Sequence, residues 1–91
     1  MNKELNLNIS GRVQGVYFRV YAEKEANKLG LNGYVKNEGD GSVSIVAQGN
    51  KDKLDLFFEW AKHGPNMAYV KKIKMTLKDT KKDYKNFTII Y

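Results

Sequence analysis

The sequence predicts an α+β fold in which two helices cover one face of an antiparallel sheet. Short segments of alternating apolar and polar residues predict strands, and two longer segments with apolar residues three or four apart predict helices. The chain has 91 residues, of which 42% are apolar, so it can bury one modest core but not two. We therefore expect residues 1–91 to form a single domain.

The strands are predicted from alternation with a period of two. In the first of them, Leu5, Leu7 and Ile9 alternate with asparagine and serine. Asp40-Gly41 indicates a hairpin between the second and third strands. The predicted strands span residues 5–10, 32–38, 42–48, 72–78 and 86–91, and residues 81–85 are expected to form a solvated loop.

The helices are predicted from apolar stripes at helical spacing. Gly30 is expected to follow the first helix in the left-handed region. Asn50 is expected to cap the start of the second helix, and Gly64-Pro65 to follow its end. The stripes consist of Phe18, Ala22, Ala26 and Leu29 in the first helix, and of Leu54, Phe57, Phe58 and Ala61 in the second.

The order of the elements is strand, helix, strand, strand, helix, strand, with a short terminal strand added. This βαββαβ order predicts a ferredoxin-like sandwich, with both helices on one face of the sheet and the other face open to water. Right-handed crossovers place the first and third strands side by side at the centre. The loop after the first strand should then lie near the far end of the second.

Composition narrows the classes of function. The formal net charge of +6 favours an anionic partner. The absence of cysteine excludes thiol catalysis, thiolate metal sites and disulfides. No segment approaches the roughly 20 apolar residues of a membrane span, and the N-terminus has no apolar leader. We expect a cytoplasmic protein without a membrane partner.

Residues 11–19 have the layout of an anion-binding loop. The first strand leads to Gly11 and Gly15, which can adopt positive φ, and Arg19 follows in the first turn of a helix. Backbone N–H groups at a helix start lack intrahelical partners and carry the positive end of the helix dipole, which favours a bound phosphate. A plain strand-to-helix connection with a solvated arginine is the alternative.

Asn37 is the second candidate polar group. It stands where the second predicted strand meets the hairpin turn. One interpretation is that its amide bonds the nearby backbone, as asparagines at turns commonly do. The other is that it holds a water molecule close to the loop. The residues alone leave both open.

Two segments closely resemble the signature segments of the acylphosphatase family. They are residues 11–19 (GRVQGVYFR) and 33–43 (GYVKNEGDGSV), and a later glycine stands at position 49. Their spacing and the order of the surrounding elements also match, so the resemblance covers essentially the whole chain. The chain departs from the family pattern at Ser44, where glutamate is frequent, and at Ile90, where arginine is frequent.

The resemblance implies a site and a reaction. It implies that Arg19 clamps a phosphoryl group, that Asn37 positions the attacking water, and that a small-molecule acyl phosphate is hydrolysed to a carboxylate and inorganic phosphate. It implies no metal and no organic cofactor. We expect a monomer whose loop can also hold free phosphate or sulfate. The implied substrate-binding residues are Gln14, Gly15, Val16, Tyr17 and Phe18.

The main alternative is an RNA-binding or other anion-binding module without catalysis, which would share the element order and the positive charge. The outward positions of its central strands would be aromatic, whereas polar residues dominate those positions here, so we expect no nucleic-acid partner. A second alternative is a regulatory or maturation domain of a larger carbamoyl-transfer protein, which the chain length disfavours. A third is a phosphate-binding relative without catalytic activity, which the presence of Arg19 and Asn37 disfavours.

The remaining polar and aromatic candidates have simpler interpretations. His63, the single histidine, is expected to be exposed beside the end of the second helix, and a lone histidine without cysteine makes a zinc site improbable. Phe57, Phe58 and Trp60 are expected in or beside the core. Asp40 is assigned to the hairpin turn.

Overall fold

A computed structural model describes residues 2–80 and 82–91. Neither helix in this described part is long and apolar enough to cross a membrane. The predicted order of strands and helices is confirmed. The elements are β1 (Lys3–Arg12), α1 (Phe18–Lys28), β2 (Asn32–Asn37), β3 (Val43–Gly49), α2 (Lys51–Ala61), β4 (Tyr69–Asp79) and β5 (Phe87–Ile90).

The strands form one sheet in the order β4-β1-β3-β2-β5. As predicted, β1 and β3 are neighbours inside the sheet, where they run antiparallel with Leu7 opposite Ile45. The pairs β1–β4 and β2–β3 are also antiparallel. The terminal strand β5 instead runs parallel to β2, with Gly33 opposite Phe87, so the complete sheet is mixed.

The core lies between the helices and one face of the sheet. Phe18 from α1 and Phe57 from α2 are the largest of its fully buried side chains. The ring of Trp60 lies 5.4 Å from that of Phe18 and 5.7 Å from that of Phe57. Phe58 is half-buried against the same cluster. The prediction that the aromatic residues of the second helix lie in or beside the core is therefore confirmed.

Both predicted helix-terminal residues have their expected roles. Gly30 has φ 71°; its N–H donates to the carbonyl of Asn27, and the next N–H, of Leu31, donates to that of Ala26. This is a Schellman motif, which satisfies carbonyls that the helix end leaves free. At the start of α2, Asn50 Oδ1 accepts a hydrogen bond of 3.0 Å from the N–H of Lys53.

The face of the sheet opposite the helices is less open than predicted. The N–H of Tyr84 donates to Gln48 Oε1 at 3.0 Å, and the Tyr84 ring packs edge-on against Tyr34, with 5.7 Å between centroids. Lys82, Asp83 and Lys85 of the predicted loop are exposed, whereas Tyr84 is half-buried, because Gln48 and Tyr34 give it partners. Lys81 lies outside the described residues.

Glu4 is the buried charge on this face. Its carboxylate accepts hydrogen bonds from Gln48 Nε2 at 2.9 Å and Asn6 Nδ2 at 2.8 Å, and Lys78 Nζ lies 3.5 Å away. Burial raises the pKa of Glu4, but the hydrogen bonds from Asn6 and Gln48 and the charge of Lys78 together outweigh it, so the net pKa lies below the usual value of 4.5.

We predict that Glu4→Gln destabilises the protein at neutral pH by about 1–2 kcal/mol, because an amide group of glutamine would face the donors of Asn6 and Gln48. A carboxyl with a lowered folded-state pKa stabilises above its unfolded-state pKa, and this contribution is lost as the pH falls through the folded-state value. Urea unfolding of both proteins should therefore show a constant difference near neutrality that shrinks below pH 4.5. A difference independent of pH would contradict the role of the charge.

Candidate active site

The first strand continues further than its alternation predicted. Gly11 and Arg12 belong to β1 and pair with Val70 and Tyr69 of β4, after a register shift between Ser10 and Gly11. Gly11 has φ 122°, and a Cβ there would meet the backbone of Tyr69 and Lys71. Gly11 has the positive φ that the sequence predicts, but it lies in β1, where it allows the close contact with β4, and not in the loop.

The predicted anion-binding loop corresponds to residues 14–17, which form successive turns before α1. Gly15 and Tyr17 both have left-handed backbones, with φ 76° and 63°. Such turns direct successive N–H groups into one concavity, which suits an anion. Tyr17 is the N-cap of α1 but provides no side-chain hydrogen bond to it. Within the described chain, this end of α1 therefore lacks the side-chain cap that commonly occupies its N–H groups.

Three apolar side chains hold this loop in place. Val13, Val16 and Phe18 are each at most 3% exposed and belong to the core cluster. Of the residues predicted to bind substrate, Val16 is therefore restricted to a backbone contact. Phe18 is restricted in the same way, although it is one of the residues that line the cavity described below.

Gln14 connects the loop to the β2–β3 hairpin. Its Nε2 donates to the carbonyl of Glu38 at 2.8 Å and to that of Ser42 at 2.9 Å. These two residues flank the hairpin turn and also bond each other, Glu38 N to Ser42 O at 2.8 Å. The side chain of Gln14 is therefore committed to the hairpin, so its predicted contact with substrate would be made by its backbone N–H.

The hairpin turn is closed by Asp40, as predicted. Asp40 Oδ1 accepts from Ser42 Oγ at 2.6 Å and from Ser42 N at 3.0 Å. These hydrogen bonds lower the pKa of Asp40 below its usual value. Asp40 remains a turn carboxylate, and the turn that it closes begins directly after Asn37.

Asn37 lies on the helix side of the sheet, since it is two residues from the buried Val35 in β2 and therefore shares its face. Its Oδ1 is buried and has no hydrogen-bond partner among the described residues. The interpretation in which the Asn37 side chain bonds the nearby turn is therefore not supported by its Oδ1, which accepts no hydrogen bond from the described backbone. Buried polar groups are normally paired, so an unpaired one requires an explanation.

Asn37 and Arg19 line the same cavity, which measures about 300 Å³. Gly15, Tyr17 and Phe18 of the loop line it too, so the predicted residues converge, except that Gln14 and Val16 are not among its walls. The cavity combines the N-terminus of α1, a guanidinium and an amide. That combination can bind and orient an anion.

Sequence reasoning missed the wall that β5 contributes. Ile89 and Tyr91 line the cavity, and the Arg19 guanidinium carbon lies 4.9 Å from the centroid of the Tyr91 ring. This cation–π contact orients Arg19. Only the parallel pairing of β5 with β2 reveals this wall. The register pairs Lys36 with Ile90, and one step further along both strands it places Tyr91 beside Asn37. The intervening Ile90 points away from the cavity.

The other candidates lie apart from this cavity. His63 is exposed, as predicted. Within residues 2–80 and 82–91, no group of three or more histidine, aspartate or glutamate side chains is placed to hold a metal ion.

Comparisons with known proteins identify the family of the chain and agree with its fold. The family model described as Acylphosphatase matches residues 5–89. An acylphosphatase of Thiobacillus denitrificans is 44% identical over 85 residues, which are 93% of each chain. The crystal structure of acylphosphatase from Bacillus subtilis matches with a TM-score of 0.94 and 37% identity, over 98% of this chain and 99% of that one.

A larger protein contains a similar unit. Full-length HypF, in its phosphate- and nucleotide-bound form, matches 100% of this chain with a TM-score of 0.87 and 28% identity, but the match covers only 12% of that protein. Acylphosphatases are hydrolases of acid anhydrides. The family model spans most of the length of this chain, and the chain therefore belongs to the acylphosphatase family.

Proposed function

We propose that the chain hydrolyses small-molecule acyl phosphates in the cavity shared by Arg19 and Asn37, as a monomer and without a cofactor. The observation that carries the proposal is the convergence of Arg19, Asn37 and the uncapped start of α1 on one cavity. All of these groups come from one chain. Free phosphate or sulfate would bind at the same place, because the recognised group is a tetrahedral oxyanion.

The loop and Arg19 bind the phosphoryl group in this proposal. The backbone N–H groups of residues 14–18 donate to its oxygens, and the guanidinium of Arg19 binds two of them through its planar fork. Charge spreads over these oxygens in the loose transition state of phosphoryl transfer. Donors held in place by the core beneath the loop stabilise that charge without having to reorganise.

The chemistry needs no strong general acid. The leaving group is a carboxylate, whose conjugate acid has a pKa of about 4, like that of a side-chain carboxyl. It leaves as an anion at neutral pH. Positioning and electrostatic stabilisation can therefore supply most of the rate acceleration.

Asn37 orients the attacking water. Its amide is not basic at neutral pH, so it cannot remove a proton, but its buried Oδ1 can accept a hydrogen bond from water. Water held there faces the phosphoryl group from the β2–β5 side of the loop. A phosphate oxygen of the substrate takes the proton as the P–O bond to water forms and the bond to the carboxylate oxygen breaks.

A nucleic-acid-binding function receives less support. Tyr34 is the aromatic side chain on the outer face of β2, and Tyr84 packs against it. Base stacking requires an accessible aromatic face. The part of the sheet that a single-stranded nucleic acid would use is thus partly occupied by the chain itself.

The proposal is tested by phosphate release from benzoyl phosphate in excess EDTA. We expect turnover well above the uncatalysed rate, and inhibition by inorganic phosphate that competes with substrate. Failure to release phosphate would contradict the proposed function. Loss of activity on adding EDTA would contradict the metal-independent mechanism.

A further inference from the structure

Strand β4 forms one edge of the sheet, since β1 is its only neighbouring strand in the described chain. It is eleven residues long, about twice the length of an average strand. None of the backbone hydrogen bonds that the described turns and loops make involves it. Its outer row of N–H and C=O groups therefore faces water, in an arrangement that another strand can extend.

Folded proteins protect exposed edges by short strands, bulges, prolines or charged side chains. The opposite edge of this sheet is short, because β5 has four residues. By contrast, β4 keeps a regular register with β1 from Lys72 to Asp79, and its one register shift lies beside Gly11, near its start. It contains no proline. Over residues 72–79, charge is the protection that remains.

The charge on β4 is mostly of one sign. The strand carries four lysines and one aspartate. The aspartate and one of the lysines form ion pairs with residues of β1, whereas Lys71, Lys72 and Lys74 form none within residues 2–80 and 82–91. These uncompensated charges repel a second copy of the same strand and attract an acidic one.

The two faces of β4 differ in character. Lys72 and Lys74 lie opposite polar residues of β1 on the outer face of the sheet, and Met75 and Leu77 lie opposite buried leucines of β1 on the helix side. Helix α1 packs over β2 and β5, and α2 packs over β3, so β4 lies at the border of the helix layer. Met75 is accordingly 49% and Leu77 37% exposed.

A strand added beside β4 would place its side chains alternately on these two faces. Acidic side chains on one face would lie beside Lys72 and Lys74, and apolar side chains on the other would cover Met75 and Leu77. Cross-strand pairs of opposite charge and of apolar residues both stabilise a sheet. The main-chain hydrogen bonds of an added strand supply affinity, and the alternate side chains supply specificity.

We infer that the outer edge of β4 binds an extended segment of another protein, in which acidic and apolar residues alternate, as an added strand. This surface is separate from the cavity of Arg19, whose walls include Ile89 and Tyr91 at the opposite edge of the sheet. The inference therefore does not depend on the proposed hydrolysis.

The test titrates the full chain with an eight-residue peptide of alternating glutamate and valine, followed by NMR of the backbone amides and by amide hydrogen exchange. We expect shifts in residues 72–78 and slower exchange of the outward N–H groups of β4. A peptide with four glutamates followed by four valines has the same composition but cannot place its charges on one face. It should bind at least about fivefold more weakly.

A pair of variants tests the role of the lysines. Replacing Lys72 and Lys74 together with glutamine should weaken binding of the alternating peptide about fivefold, because two cross-strand charge pairs are lost. The matched control replaces Lys24 and Lys28 with glutamine, which removes the same charge from exposed positions on α1. It should change the affinity little. All four side chains are exposed, so both variants should fold.

Several results would overturn the inference. Equal affinity for the two peptides, or unchanged exchange of the β4 amides, would mean that charge alone causes binding. Absence of binding, shifts confined to the cavity of Arg19, or an equal loss in the control variant would also contradict it. An oligonucleotide of five thymidines carries four phosphates. If it binds β4 more tightly than the alternating peptide, the lysines contact a nucleic-acid backbone and the inference is wrong.

Discussion

Replacing Arg19 with alanine is expected to lower kcat for benzoyl phosphate by at least about 100-fold, the loss that follows removal of one transition-state donor. KM should rise as well, because the guanidinium also binds the phosphoryl group before reaction. Arg19 is only half-buried and makes no ion pair among the described residues, so the fold should be retained. Fixed-time assays of phosphate release would measure kcat and KM, and circular dichroism would show whether the fold is retained.

The chain offers a matched control for this variant. Arg12 is the only other arginine. It is exposed at the end of β1, opposite Tyr69, and does not line the cavity that Arg19 and Asn37 share. Arg12→Ala should leave turnover nearly unchanged. Arg19→Lys should recover part of the loss, since lysine restores the charge but not the planar fork. Activity of Arg19→Ala close to that of wild type would remove Arg19 from the mechanism.

Replacing Asn37 with alanine is expected to lower kcat by about 100-fold, the scale for a misplaced reactant, while KM changes little. The reason is that, in the proposed mechanism, Asn37 contacts the water and not the phosphoryl group. Its Oδ1 has no partner among the described residues, so alanine breaks no internal hydrogen bond of that oxygen. Steady-state kinetics that separate kcat from KM would measure this effect.

Comparing the changes in kcat and KM between Arg19→Ala and Asn37→Ala tests the two proposed roles more sharply than either variant alone. Arg19→Ala should alter both constants, and Asn37→Ala mainly kcat. Asn27→Ala provides a control at an exposed position on α1. A rise in KM for Asn37→Ala as large as that for Arg19→Ala would mean that Asn37 binds the phosphoryl group, which would contradict its role in orienting water.

The fold could be predicted to the extent that local periodicity and topology rules determine it. The stripe containing Phe18 and the alternation around Leu7 are local signals, and the central pairing of β1 with β3 follows from the handedness of the crossovers. The early start of β4 at Tyr69 is different. It depends on the bulge at Gly11, which brings Tyr69 opposite Arg12. No pattern in the residues around Tyr69 predicts that contact.

The candidate site was predicted unevenly for the same reason. Arg19 and Asn37 belong to segments whose residue pattern is itself informative, and they line one cavity as expected. Tyr91 was missed because a parallel pair has no connecting turn to reveal it. Tyr84 was missed because its partner, Gln48, lies far away in the sequence.

The double hydrogen bond from Gln14 has a consequence for how this enzyme could diversify. By spanning the carbonyls of Glu38 and Ser42, Gln14 couples the loop to the length of the hairpin turn. An insertion in this turn would therefore move Asn37, which we propose orients the water, away from the loop that we propose binds the phosphoryl group.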